Sequence, residues 1–300
     1  MTLQQIADFL AVAQHGSLHG AARATGQSQP ALTKSLRRLE ADLGAALFDR
    51  NARGMQANEF GKRFLIHARR VHAESERARD SMAQLLGERQ GRVEFGISVA
   101  ASLLLAPSAV KRFRRAFPEV ELRSRSGLYH SLVTPLRDGQ LDFVICPEPV
   151  GVSDPALAMR MLIQSQMVLV GRRDHPQAKV RSLQALQQAA FSVAAPRGQP
   201  GGGIYQMFER AGLGPPRVEL HTDGLMDTVA FVAGSDCLAL LPAALMRSGL
   251  LKERLVAIPI TEEPPTYTVG LFQRAAVPLT PAAAELATQF EREAAYLRRG

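Results

Sequence analysis

The sequence predicts a mixed chain: a winged helix-turn-helix at the N-terminus, a long linker helix, and then an α/β domain of two lobes. Three observations carry this. Residues 3–58 read as two short helices, a capped third helix and a small hairpin. Residues 59–86 contain no proline and place apolar side chains in alternating steps of four and three. From Gly91 onward, strand-like and helix-like segments alternate. The expected division is therefore residues 1–58, 59–90 and 91–300. The last part splits into a first lobe of 91–162 with 266–300 and a second lobe of 163–265.

Composition bounds what such a chain does. Its 300 residues exceed what one core organises, and 46% hydrophobic with 21% charged residues is ordinary globular material. No apolar run reaches membrane-spanning length, and MTLQQIADFLAVAQHG has no basic stretch before its apolar part. A cytoplasmic protein with neither export leader nor membrane contact is expected. Cys146 and Cys237 are far apart and lack ligand-type spacing, which argues against a disulfide framework, a metal site or a metal cofactor. The net charge of +8 suits a polyanionic partner.

In order along the chain, Leu3, Ile6, Phe9, Leu10 and Ala13 have helical spacing. Ser17 caps a short alanine-rich helix that Gly26 breaks. Ser28 is a good N-cap for the next helix, and Pro30 falls in its first turn, where a missing N–H costs nothing. Ala31, Leu32, Leu36 and Leu39 form its expected buried stripe. Gly44 ends it, and LFDRNARGMQANEFG reads as a two-stranded wing with Gly54 at the turn. In a winged helix-turn-helix the second helix of the pair presents its polar N-terminal face to the DNA major groove. The candidate DNA contacts are Ser28, Gln29, Pro30, Thr33, Lys34, Arg37 and Arg38, with Arg50 and Arg53 in the wing. Hydroxyl, amide and cationic groups there can meet base edges and phosphates of double-stranded DNA. A partly palindromic operator follows if two such domains bind together.

The stretch from Glu59 places Phe64, Ala68, Val71, Ser75, Ala78, Met82 and Leu85 on one seam. A helix of that length, roughly 40 Å at 1.5 Å per residue, is too long to bury one stripe within a small domain. Phe64, Val71, Ala78, Met82 and Leu85 are the candidate dimerisation residues of a homodimer.

Beyond Gly91, RVEFGIS, VELRSRS and LDFVICP read as strands separated by the helices LLLAPSAVKRFRRAFP and YHSLVTPLRDG, a β-α-β-α-β run. A second lobe reads as strand SQMVLVG, helix SLQALQQ, strand FSVAA, loop RGQPGGG, helix IYQMFERAG, strand RVELHT, helix GLMDTVAFVAG and strand CLALLP. TYTVGLFQR and the helix from Pro281 return to the first lobe.

Taken together, these residues resemble the LysR-type transcriptional regulators over the whole chain. The most specific part is FLAVAQHGSLHGAARATGQSQPALTKSLRRLEADLGAALFDR with the following RNARGMQANEFG; AFPEVEL and LRDGQLDFVI also match. The resemblance implies a winged-helix DNA-binding domain, a dimerising linker helix and a hinged effector domain like periplasmic binding proteins. It further implies a homotetramer, RNA polymerase as a partner, and control by a small-molecule effector, an organic or aromatic acid.

A ligand between two such lobes lies at strand carboxyl ends and helix N-termini. The candidates in the first lobe are Ser98, Val99, Ala100, Ser102, Gly127, Tyr129, His130, Cys146 and Pro147. In the second they are Ala195, Arg197, Gly198, Thr222 and Asp223. Tyr129 offers an aromatic wall and Arg197 a fork for an anion. The loop APRGQPGGG departs from the Gly-Ser-Gly type of the family, which leaves the ligand open. It also lacks the lysine and Ser or Thr of a phosphate-binding P-loop. The alternative from another class is a two-lobed cytoplasmic enzyme with Cys146 or Cys237 as nucleophile. A free cysteine beside apolar strands is more often a small hydrophobe, and no histidine stands near either in sequence.

Overall fold

A computed structural model of the chain describes residues 1–51, 54–149, 151, 153–194, 202–222, 224–246 and 249–298, without the side chains of Arg50, Asn51 and Leu250. The chain forms two units, Met1–Gln90 with Arg137–Gln140, and Gly91–Leu136 with Leu141–Gly300.

The first unit opens with α1 (Leu3–His15), whose capping box joins Thr2 and Gln5. Ser17 caps α2 (Leu18–Thr25), and Ser28 caps α3 (Gln29–Leu43) with Pro30 in the first turn. All three end at glycines with left-handed backbone, Gly16, Gly26 and Gly44. Strands β1 (Phe48–Asn51) and β2 (Gly54–Ala57) pair antiparallel as the wing. Ile6, Phe9, Val12, Leu32, Leu36 and Leu39 form the core, where the Phe9 ring meets Phe48 at 5.2 Å and Phe64 at 4.9 Å. Ala31, expected in the buried stripe, is exposed instead. It follows the cap directly and lies on the polar side of α3.

Asn58 caps α4 (Glu59–Leu85), a helix of 27 residues. A Cβ at Gly61 would collide with the carbonyl oxygen of Leu47, so only glycine lets the start of α4 lie this close to the wing. The expected seam divides in two. Phe64, half-buried, packs against the winged-helix core, and Ala68 is buried there, so this end of the seam serves its own domain. Val71, Ala78, Met82 and Leu85 are exposed, Met82 by 57% and Leu85 by 67%.

In the second unit β3 (Arg92–Ile97), α5 (Val99–Ala116), β4 (Glu121–Ser126), α6 (Tyr129–Arg137) and β5 (Phe143–Pro147) follow one another, with β3 parallel to both β4 and β5. The capped α5 starts at Val99, before the expected LLLAP, because Ser98 supplies the N-cap and Pro107 is tolerated inside. The next strand, β6 (Leu157–Arg172), is far longer than SQMVLVG. It is followed by β7 (Ala190–Val193), α7 (Gly203–Arg210), β8 (Arg217–His221), α8 (Leu225–Gly234) and β9 (Cys237–Pro242). Then come α9 (Ala243–Met246), α10 (Gly249–Lys252), β10 (Leu255–Ala257), β11 (Thr266–Arg274) and α11 (Pro281–Leu297).

The strand order is β4-β3-β5-β11-β6-β9-β7-β8, with β10 also on β6. Residues 157–166 of β6 pair with β11 in the first lobe, and Met167–Val170 pair with β9 in the second. The lobe division expected after residue 162 therefore falls inside one continuous strand. SLQALQQ forms only a single 3-10 turn, Gln184–Leu186, because Leu183 and Leu186 suffice to anchor it. Phe113, Phe143 and Phe290 centre the first lobe's core, and Phe191 and Phe208 the second's.

Candidate functional site

The polar face of α3 is assembled by local rules. The Ser28 Oγ accepts from the Ala31 N–H at 3.3 Å, so the cap engages one of its two lone pairs and not its proton. Thr33 Oγ1 donates to the Gln29 carbonyl at 2.8 Å. Gln29, Pro30, Thr33, Lys34, Arg37 and Arg38 surround a shallow hollow with Ala41. None of the three cations takes an ion-pair partner among the described residues. Behind the helix lies Asp8, which is 1% exposed and accepts from Gln4 Nε2 at 2.9 Å, Gln27 Nε2 at 2.8 Å and the Ser35 hydroxyl. This brace ties α1, the turn and α3 together. Sequence reading placed Asp8 only on an amphipathic helix, since its partners are remote in the chain. Arg50 lies in β1 opposite Met55, and Arg53 is outside the described residues.

Between the two lobes of the second unit is a cleft of about 540 Å³. Its walls are mostly apolar, from Val99, Leu128, Pro147, Met167, Leu240, Leu241 and Pro265 among others. The starts of α5, α7 and α8 all reach it, through Ser98–Ala100, Gly203 and Gly224–Leu225. Ser98 is 2% exposed and held by its N–H on the Ile145 carbonyl at 2.8 Å. Its Oγ accepts from Ala101 N at 3.3 Å, which leaves its own proton to give. Gly202 and Gly224 stand at the caps of α7 and α8, where no side chain among the described residues accepts from the first-turn amides, and Asp227 lies in the first turn of α8. By contrast, Ser131 donates to the Leu128 carbonyl and Thr228 to the Gly224 carbonyl, at 2.9 and 3.0 Å. No lysine or arginine lines the cleft among the described residues, and Glu148 is the one acid that does.

Of the expected ligand contacts, Ser98, Val99, Ala100, Gly127, His130 and Pro147 line the cleft. Four do not. Ser102 lies one turn further along α5. The Tyr129 ring packs edge-on against Phe272 at 5.3 Å, under α6, so it is no wall for a ligand. Cys146 is fully buried with Leu132, Leu136 and Val144: strand alternation sends it and Val144 to one core and Ile145 to the other. Thr222 stands behind Thr228, oxygen to oxygen at 2.6 Å. Ala195, Arg197, Gly198 and Asp223 lie outside the described residues. Glu148, Gln206, Thr228 and the Thr266–Thr268 stretch line the cleft unforeseen. The β11 residues could have been found from antiparallel pairing, because the first residues of β11 lie beside the carboxyl end of β5. Tyr267 lines the cleft and packs on the first lobe's core; its hydroxyl is buried with no hydrogen-bond partner among the described residues, and burial pushes its pKa up to about 12.

Neither cysteine has the surroundings of a nucleophile. Burial pushes the Cys146 thiol up to about 12. Cys237 is also raised, first by burial and then by donating to Glu219 Oε2 at 3.2 Å. Nucleophilic thiols are lowered, not raised.

Two family models match the chain. One, for bacterial regulatory helix-turn-helix proteins of the lysR family, covers residues 3–62, and the LysR substrate binding domain covers 86–295. A Pseudomonas sp. (strain ATCC 19151) relative, the SDS degradation transcriptional activation protein, is 30% identical over 94% of this chain and 92% of its own. The Azospirillum brasilense regulator GbpR is 26% identical over 94% and 84%. Among solved structures, full-length CbnR complexed with its target DNA has a TM-score of 0.71 at 20% identity, over 98% of this chain and 100% of that one. The probable transcriptional regulator PA0477 from Pseudomonas aeruginosa has 0.70 at 20%, over 97% of both. At such identities the two structures speak for the fold alone.

Proposed function

We propose, from the premise that this chain belongs to the LysR family of bacterial transcriptional regulators, that α3 reads operator DNA and that the cleft takes a small organic anion. It is a regulator and not an enzyme. The observation that supports the anion is the meeting of three helix N-termini, those of α5, α7 and α8, in one cleft of ligand size. Ser98 adds a hydroxyl donor there. The apolar walls suit an aliphatic or aromatic body, and the relative named for SDS degradation is tied to a compound of that kind, an anionic head on an apolar tail. Binding regulates only if the ligand prefers one arrangement of the two lobes, because equal affinity for both shifts nothing.

For DNA, the supporting features are the cap, the exposed polar face and the unpaired Lys34, Arg37 and Arg38. The exposed Val71, Ala78, Met82 and Leu85 of α4 are the surface on which two chains pair, giving two winged domains for a palindromic site in a cytoplasmic dimer or tetramer. One experiment with two arms tests this reading. Gel shifts on the gene's own upstream region, with and without a panel of organic acids, should show specific binding that a panel member alters. Ser98→Ala should weaken that response. Sedimentation should show the wild type associated at micromolar concentration and Met82→Lys shifted toward monomer. A panel that leaves the DNA complex unchanged, or a monomeric wild type, defeats the corresponding part.

A further inference from the structure

We infer that the effector is a monoanion that also carries a hydrogen-bond donor, and that Glu148 is the residue that selects for that donor. The inference rests on the anion reading of the cleft given above.

The cleft is sorted by polarity. Its donors are the Ser98 hydroxyl and the amides at the starts of α5, α7 and α8. Its acceptors are elsewhere. The Ser131 proton goes to the Leu128 carbonyl, and its Oγ, which also accepts from the Leu128 N–H at 3.2 Å, keeps one lone pair to offer. Glu148 is stronger: a carboxylate that accepts only, with no side-chain partner among the described residues.

The sequence positions this acid closely. Glu148 stands between Pro147 and Pro149, whose rings restrict the backbone on both sides, and its N–H is fixed on the Thr268 carbonyl at 2.9 Å. All four residues line the cleft. The backbone at the end of β5 that carries the carboxylate is thus held in place.

Charge then decides the ligand class. A dianion would bring its second charge toward the Glu148 carboxylate, which repels it. A donor brought there gains a charge-assisted hydrogen bond. A neutral ligand would leave the helix N-termini without an anion. The combination is met by hydroxy-substituted organic acids on an aliphatic or aromatic body, and by aromatic acids with a neutral ring amine, that fit about 540 Å³.

The test is calorimetry on the full chain with matched pairs: benzoate against 4-hydroxybenzoate and 4-aminobenzoate, hexanoate against 6-hydroxyhexanoate, and terephthalate as a dianion. Wild type, Glu148→Gln and Glu148→Ala are compared. Glu148 is exposed, so both variants should fold, which thermal melts run alongside will check. In the wild type the donor-bearing member should bind about tenfold tighter than its partner, the size of one hydrogen bond to a charged group. The preference should shrink in Glu148→Gln and vanish in Glu148→Ala, while terephthalate gains affinity in both. If the donor-free members bind as well as their partners, the inference fails and the anion reading stands. If no carboxylate in the set binds, the anion reading fails and takes the inference with it.

Discussion

The α3 face draws its contacts from one run of sequence between Ser28 and Ala41, whereas the cleft takes its walls from stretches as distant as Ser98, Gly203 and Thr268. On α3 a cap, a helical period and a lack of ion-pair partners determine which groups point outward. In the cleft, each group's direction depends on strand register and on which of two faces a neighbour has taken. Tyr129 and Cys146 stand beside cleft residues in sequence and are packed into a core in space. A contiguous site tolerates errors in reading the fold, and an assembled one does not.

The strongest way to break the comparison is through the first unit's core. Phe9→Ala removes a fully buried ring that touches Phe48 and Phe64, which should cost roughly 3–5 kcal/mol. Operator binding should be lost with the fold of that unit, read by circular dichroism and gel shift. Carboxylate binding by calorimetry should survive, and a parallel loss would show that the cleft depends on the winged helix.

Next is the alkaline stability of the second unit. The Cys146 thiol titrates near 12 in the folded chain and near 9 when unfolded. The unfolded state therefore releases its proton first, so stability is whole below about pH 9 and falls as pH rises toward 12, by roughly 1.4 kcal/mol per unit. Tyr267, raised from 10 to about 12 by burial, acts in the same direction above pH 10. Urea melts at stepped pH should show a shallower decline for Cys146→Ala than for wild type. Equal slopes would mean that the thiol reaches water without unfolding.

The smallest effects sharpen the α3 side. Thr33→Ala and Arg37→Ala should leave the melting temperature nearly unchanged and weaken operator binding. A lost base contact costs ~1–3 kcal/mol, and a lost phosphate contact lowers the salt slope by about one. Unaltered affinity for both variants would return this face to the solvent.

Much of the fold was legible because its signals are short-range. Ser17 and Ser28 act as caps, Gly26 and Gly44 as stops, and the β3-α5-β4-α6-β5 alternation appears where it was expected. The first half of β6 was not legible. LAMRMLIQ has few β-branched residues and no clean alternation, with Ala158 to Met161 all exposed, and only pairing with β11 makes it a strand. The α4 seam shows a similar limit, since spacing alone could not tell that Phe64 and Ala68 serve their own domain while Met82 and Leu85 do not.

By itself, the sequence determined the helices of the first unit, the wing, the family and the polar face of α3, because each depends on residues within a turn or two of one another. Only the tertiary structure decided which side chains share the cleft. It turned Cys146 and Tyr129 away, brought Glu148 beside Thr268, and set Thr228 in front of Thr222. The physical reason is that a strand offers alternate residues to opposite faces, so a ligand site at its end depends on what packs against each face, and that is settled by segments a hundred residues away.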